Sequence, residues 1–185
     1  MPLTLPDLLA RTALTARLGP VRVGASWADV TALLGEPREV LRSRRWPRLY
    51  GHGDLEALVC RCGRVLLVTV RAGGGTVELP TVEGAFPGEP TEAEVVAALD
   101  RAGCPWEADP AHTFGDQRGL RVPATSALFV FVVPGSVVPG SVVPGSVVPG
   151  SVVPGSAVPG SAVPGDRRPR LHSLGLPGDG YACPD

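Results

Sequence analysis

Between Val132 and Asp166 the chain repeats one pentapeptide seven times: five copies of Val-Val-Pro-Gly-Ser, then Ala-Val-Pro-Gly-Ser and Ala-Val-Pro-Gly-Asp. Within each unit Val-Pro-Gly-Ser suits a β-turn, with φ preset by Pro at the second position and a positive φ available to Gly at the third. A Pro in every fifth position also removes a backbone donor, so neither a ladder strand nor a helix can run through the array despite its valine. The folded body must therefore be built from what flanks it.

The array resembles the Val-Pro-Gly pentapeptides of elastin, with Ser where elastin commonly has Gly. Two readings follow: a disordered loop expanded by repeat slippage, or an elastic, self-associating element. No charged residue occurs from Val122 to Gly165, so association through it would be apolar. Lengthening a hairpin connection from about five to thirty-five residues costs about 1.7 kcal/mol by loop closure, which a strand burying several large side chains outweighs. As a flexible chain it would span about 33 Å.

The flanks give about 150 residues, enough for one domain with a sizeable core. The chain has seventeen Arg and no Lys, Ile or Asn, a bias that avoids AT-rich codons and points to a high-GC bacterial genome. Net charge is −1, which excludes a dedicated polyanion binder, but it is unevenly placed. Residues 1–72 hold eleven Arg against six acids, and residues 73–131 hold three Arg against nine acids. The two halves can attract each other within one fold, or steer a charged partner.

Met1 to Pro20 carries Asp7, Arg11 and Arg17 and no sustained apolar stretch, and no run of eighteen apolar residues occurs. No signal peptide and no membrane association are expected, and the localisation expected is cytoplasmic. Cys60, Cys62, Cys104 and Cys183 are then expected to be reduced. With His52, His112 and His172 scattered among them, they lack the paired spacing of a zinc site.

Leu8, Leu9, Ala13, Leu14 and Leu18 recur at helical intervals before Gly19-Pro20, which predicts a helix over residues 5–18. Ser26 with Asp29 reads as an N-cap and capping box for a short helix whose apolar face is Val30, Leu33 and Leu34, ended by Gly35 and Pro37. Extended segments are expected at 40–45, 54–61 and 64–72, with Cys62-Gly63 as a hairpin turn between the last two. Gly73-Gly74-Gly75 lacks the Lys-Ser/Thr of a phosphate loop, and residues 76–90 read as loop. A third helix, capped and charged at its start by Pro90-Thr91-Glu92-Ala93-Glu94, continues through Val95, Val96, Ala98, Leu99 and Ala102 to Gly103. Trp106 reads as core, and strands are expected at 113–114, 119–122 and 127–133, the last apolar on both faces and so central. Arg170 to Leu176 reads as its antiparallel partner, which makes the array an overgrown hairpin connection.

The expected fold is α+β: an antiparallel sheet with two or three helices packed on one face, interrupted by the repeat loop. The domain would comprise residues 1–131 and 167–176, in two loosely similar halves at about 20–72 and 90–176. Residues 132–166 are the insert and 177–185 a disordered tail.

Gly24-x-Ser26-x-x-x-Val30-x-x-Leu33-Leu34-Gly35-x-Pro37, followed by strands, resembles the helix-then-sheet pattern of the small outer-membrane assembly lipoproteins and of the β-lactamase inhibitor protein type. Tyr50-Gly51-His52-Gly53-Asp54-Leu55-Glu56 is similar to a segment of small bacterial proteins associated with toxin-immunity loci. The match spans residues 20–72, and it departs from the lipoproteins in that neither a signal peptide nor a lipidation cysteine is expected. What the resemblance implies is a protein-binding scaffold, although a fold does not fix a function.

No Gly-x-Ser-x-Gly elbow, His-Glu-x-x-His or dinucleotide fingerprint occurs, and no catalytic residue, cofactor or metal is expected. The expected function is a non-catalytic protein-binding module of immunity type with an unidentified protein partner. Its expected docking residues are Arg44, Arg45, Trp46, Arg48, Tyr50, His52, Asp54 and Glu56, with Tyr50, Trp46 and the Arg cluster on an exposed sheet face and the acidic half of the chain available for a basic partner. One alternative is a small enzyme whose pocket gathers Asp54, Glu56 and His52 for acid–base work. Another is a weak nucleic-acid binder using the Arg38 to Arg48 cluster, with Trp46 and Tyr50 to stack on bases.

Overall fold

The computed structural model describes residues 3–41, 46–82, 84–133 and 168–177; the array from residue 134 onward, residues 42–45 and the last eight residues lie outside these. Thr4 caps the first helix, α1 (Leu5–Thr15), by accepting the Asp7 N–H, and Ala16 in the left-handed region ends it. The helix is three residues shorter than its apolar spacing predicts. Arg17–Leu18 (β1) and Val21–Arg22 (β2) instead form a small hairpin around Gly19 and Pro20.

The second helix, α2 (Trp27–Leu34), starts at Ser26, but the serine hydroxyl makes no capping bond. Its buried side is Val30 with half-buried Trp27 and Leu34, residues spaced i, i+3 and i+7, whereas Leu33 is 69% exposed. The strands that follow are β3 (Glu39–Leu41), β4 (Arg48–His52), β5 (Leu55–Val59) and β6 (Val65–Arg71). A hairpin of β7 (Thr76–Glu78) and β8 (Ala85–Pro87) stands where a loop is expected. Gly88 permits it, because a Cβ there would collide with the Gly74 carbonyl oxygen.

The third helix, α3 (Glu92–Arg101), starts where the sequence places a helix start and has a reciprocal capping box between Thr91 and Glu94. After it come β9 (Glu107–Ala108), a single 3₁₀ turn at Pro110–His112, β10 (Gln117–Val122), β11 (Ala127–Val132) and β12 (Arg170–Pro177). Trp106 is 36% exposed, not core, because its indole N–H donates to the Asp100 carboxylate at 3.0 Å on the surface. Residues 113–114 form no strand of their own; Phe114 makes an isolated bridge to Gln117.

Eight strands make one antiparallel sheet in the order β3-β4-β5-β6-β12-β11-β10-β9. Each half runs helix, then a four-strand meander, and the last strands of the two meanders, β6 and β12, pair at the centre with Leu174 opposite Val70. Alternation sends Leu55, Ala57, Val68, Val70, Leu174, Phe129 and Phe131 to the face covered by the three helices, where they join Leu5, Leu9, Val30, Val95 and Leu99 in one core. The fold is α+β, with its helices on one face of an antiparallel sheet. β11 lies beside β12, Phe131 opposite Leu171, so the two strands that bracket the array are hydrogen-bonded neighbours.

Candidate functional site

The expected docking residues that are described cluster around β4 and β5, and strand alternation sorts them. Tyr50 pairs with Ala57 and His52 with Leu55, so both side chains lie on the helix-covered face. There Trp27, in the first turn of α2, stacks on Tyr50 with ring centroids 4.7 Å apart and tilts against His52 at 5.8 Å. The exposed sheet face expected to carry Tyr50 is therefore the wrong face; the tyrosine is half-buried beneath α2. Trp27 had no part in the sequence reading, although it shares a helical face with Val30 and Leu34, and that spacing was the available signal.

Trp46 and Arg48 form the open end of this row. The Arg48 guanidinium carbon sits 4.5 Å from the centroid of the Trp46 ring, and Trp46 keeps 40% of its surface exposed. Val40, which pairs with Tyr50 across β3 and β4, is 42% exposed beside them. Arg44 and Arg45 lie outside the described residues.

Asp54 and Glu56 leave the group. Glu56 follows Leu55 along the strand and so points to the opposite face from His52, where it pairs with Arg71 at 3.2 Å. Asp54 belongs to the turn before β5, and its carboxylate accepts the Glu78 N–H at 2.8 Å, tying the turn to β7. A pocket gathering Asp54, Glu56 and His52 is not formed. His52 instead borders a cavity of about 450 Å³ with Leu34, Glu36, Arg38, Glu78 and Leu79, across which Arg38 and Glu78 pair at 3.8 Å. His52 is 6% exposed and its Nε2 has no hydrogen-bond partner among the described residues. Burial, reinforced by the Arg38 charge, pulls the His52 pKa below the usual histidine value and keeps the ring neutral.

Cys60 and Cys62 depart from expectation more sharply. The β5–β6 turn brings their Cα atoms to 5.3 Å, within disulfide range, and the two sulfurs are joined where reduced thiols are expected. Cys104 is a buried free thiol, its pKa raised by desolvation. Among the described residues no helix is long and apolar enough to cross a membrane.

No family model, curated protein or solved structure matches the chain. Among the described residues, the exposed Trp46, Arg48 held over its ring and the exposed Val40 coincide at the β3–β4 edge.

Proposed function

We propose that this domain is a non-catalytic protein-binding module whose partner docks on the β3–β4 edge, against Trp46, Arg48 and Val40. The observation that carries the reading is the Trp46–Arg48 pair: an exposed aromatic ring with a guanidinium held over it, on an edge strand pair. Trp, Tyr and Arg dominate the residues that supply binding energy at protein interfaces, because each buries a large area while keeping a polar or charged handle. Beneath them the stack of Trp27 on Tyr50 fixes the backbone of β4 against α2, so the docking residues stand on a rigid base.

The partner's chemistry follows from charge. Residues 1–72 carry eleven Arg against six acids, which favours an acidic protein surface and accelerates its encounter. The immunity-type role implied by the resemblance of residues 20–72 is the narrower form of this proposal, with the acidic partner a toxin whose working surface the module covers. The dispersal of Asp54, Glu56 and His52 over two faces and a turn counts against the enzymatic alternative.

The test is affinity capture from the native cell with wild-type protein and with the Trp46→Ala and Arg48→Ala variants. Wild type should retain one acidic protein in stoichiometric amount, and each variant should lose at least tenfold in affinity for it with the melting temperature unchanged. Equal capture by all three proteins, or tighter binding to a single-stranded oligonucleotide than to any protein, would contradict the proposal.

A further inference from the structure

The β5–β6 turn holds a disulfide-joined cysteine pair that the docking proposal does not use. Cys60 is 3% exposed at the end of β5, whereas Cys62, two residues on, is exposed in the turn. The turn is held firmly: the Gly63 N–H donates to the Cys60 carbonyl at 3.0 Å, and the Gly63 carbonyl accepts the Trp27 N–H at 2.8 Å. On the Cys60 sulfur the Arg64 backbone N–H is directed at 3.3 Å. Arg61 and Arg64 flank the turn and are both exposed.

The geometry points to Cys60 and Cys62 as a thiol–disulfide exchange site for an anionic low-molecular-weight thiol, with Cys62 the sulfur attacked and Cys60 the leaving group. A cross-link spanning one residue restricts the unfolded chain less than any longer one, so stabilisation by loop closure is a poor account of it. Access selects the sulfur: a small thiolate reaches Cys62 and is shut out from Cys60. Attack forms a bond between the incoming sulfur and Cys62 while the Cys60–Cys62 bond breaks, and its electron pair leaves on Cys60 as a thiolate. The Arg64 N–H is already placed to donate to that thiolate, and the two guanidinium groups draw the anionic thiol in. A second thiolate then attacks the small-molecule sulfur of the mixed disulfide, releasing Cys62 as thiolate. The two cysteines take up two electrons and two protons, and two small thiols leave as their disulfide. The reverse sequence, with that disulfide as oxidant, restores the bond.

The experiment uses full-length protein equilibrated in buffers of reduced and oxidised glutathione, quenched by alkylation and mapped by peptide mass. Cys60 and Cys62 should become alkylated together, in one transition as the buffer turns reducing, while Cys104 stays unlabelled in the folded protein. In Cys60→Ser, Cys62 should carry the glutathione adduct; in Cys62→Ser, Cys60 should carry at least tenfold less. The inference is overturned if the pair stays closed at every buffer ratio, if the two cysteines alkylate independently, or if Cys60 takes the adduct as readily as Cys62. Where Cys60→Ser fails to fold by circular dichroism, the wild-type map decides.

Discussion

Phe131 and Leu171 stand opposite one another on adjacent antiparallel strands, both fully buried, although the whole pentapeptide array lies between them in sequence. The relationship means that β11 and β12 are paired antiparallel neighbours, with the array between them in sequence. Hydrophobic burial on both strands supplies the energy that holds the ends of that connection together. Shortening Phe129, whose ring stacks 6.4 Å from that of Phe131, should show how much. Phe129→Ala is expected to lower stability by about 3–5 kcal/mol through lost burial and the cavity left behind, measured by urea unfolding. A loss under 1 kcal/mol would mean that this hairpin is not part of the core.

The Trp27–Tyr50 stack predicts a coupling. In a double-mutant cycle of Trp27→Ala and Tyr50→Ala, the interaction should amount to about 0.5–1.5 kcal/mol of stability, as for other aromatic pairs. Additive effects would show that α2 and β4 pack independently, and would remove the rigid base proposed for the docking edge.

The two histidines whose pKa burial lowers give a pH dependence with a definite sign. His52 and His172 are both held neutral by desolvation, with Arg38 and Arg71 respectively adding to the effect, while the unfolded chain protonates near 6.5. Below that pH the unfolded state binds more protons, so stability is full above about pH 6.5, falls as the pH drops from there toward the lowered folded values, and levels off below them. His52→Gln should flatten the decline in part, leaving the His172 share. The acidic groups act later: Glu94, held down by hydrogen bonds from Thr91, and Asp7, held down by Thr4 and Arg101, lose their contribution only as the pH falls toward and below 4. Thermal melts across pH 4–8 check this, and a stability that rose on acidification from pH 7 to 6 would contradict it.

Thr91→Ala should cost about 1 kcal/mol, because it removes the acceptor for the Glu94 N–H and one donor to the Glu94 carboxylate at the start of α3. Chemical denaturation of this variant against Thr4→Ala compares the reciprocal cap with the simpler one on α1.

Much of this architecture was legible in the chain because periodicity and punctuation agreed. Leu55, Ala57 and Val59 alternate with Glu56 and Leu58, and β5 forms with that face inward. Thr91 and Glu94 announce α3, and the apolar run from Ala127 announces β11. What misled lay where tertiary packing decides. Leu33 follows the apolar pattern of α2 but turns outward, because the helix buries the face shared by Trp27, Val30 and Leu34, from which Leu33 is rotated away. Trp106 is large and apolar enough for a core, yet one hydrogen bond to Asp100 satisfies it at the surface. The site is the least legible: the Gly53-Asp54 turn pairs His52 with Leu55 and so reverses the parity of the alternation, which places Glu56 on the opposite face of the sheet from His52. The Cys60–Cys62 bond escaped notice because spacing alone does not say whether a turn brings two sulfurs together.

Replacing residues 134–167 by a four-residue Gly/Asn/Ser turn and following thermal unfolding tests most directly the claim that the array only connects two neighbouring strands of one domain. The shortened protein should unfold in a single cooperative transition at a temperature several degrees above that of the full chain, since about 1.9 kcal/mol of loop-closure cost is removed. Loss of the cooperative transition, or a melting temperature lowered by about 10 °C or more, would contradict it.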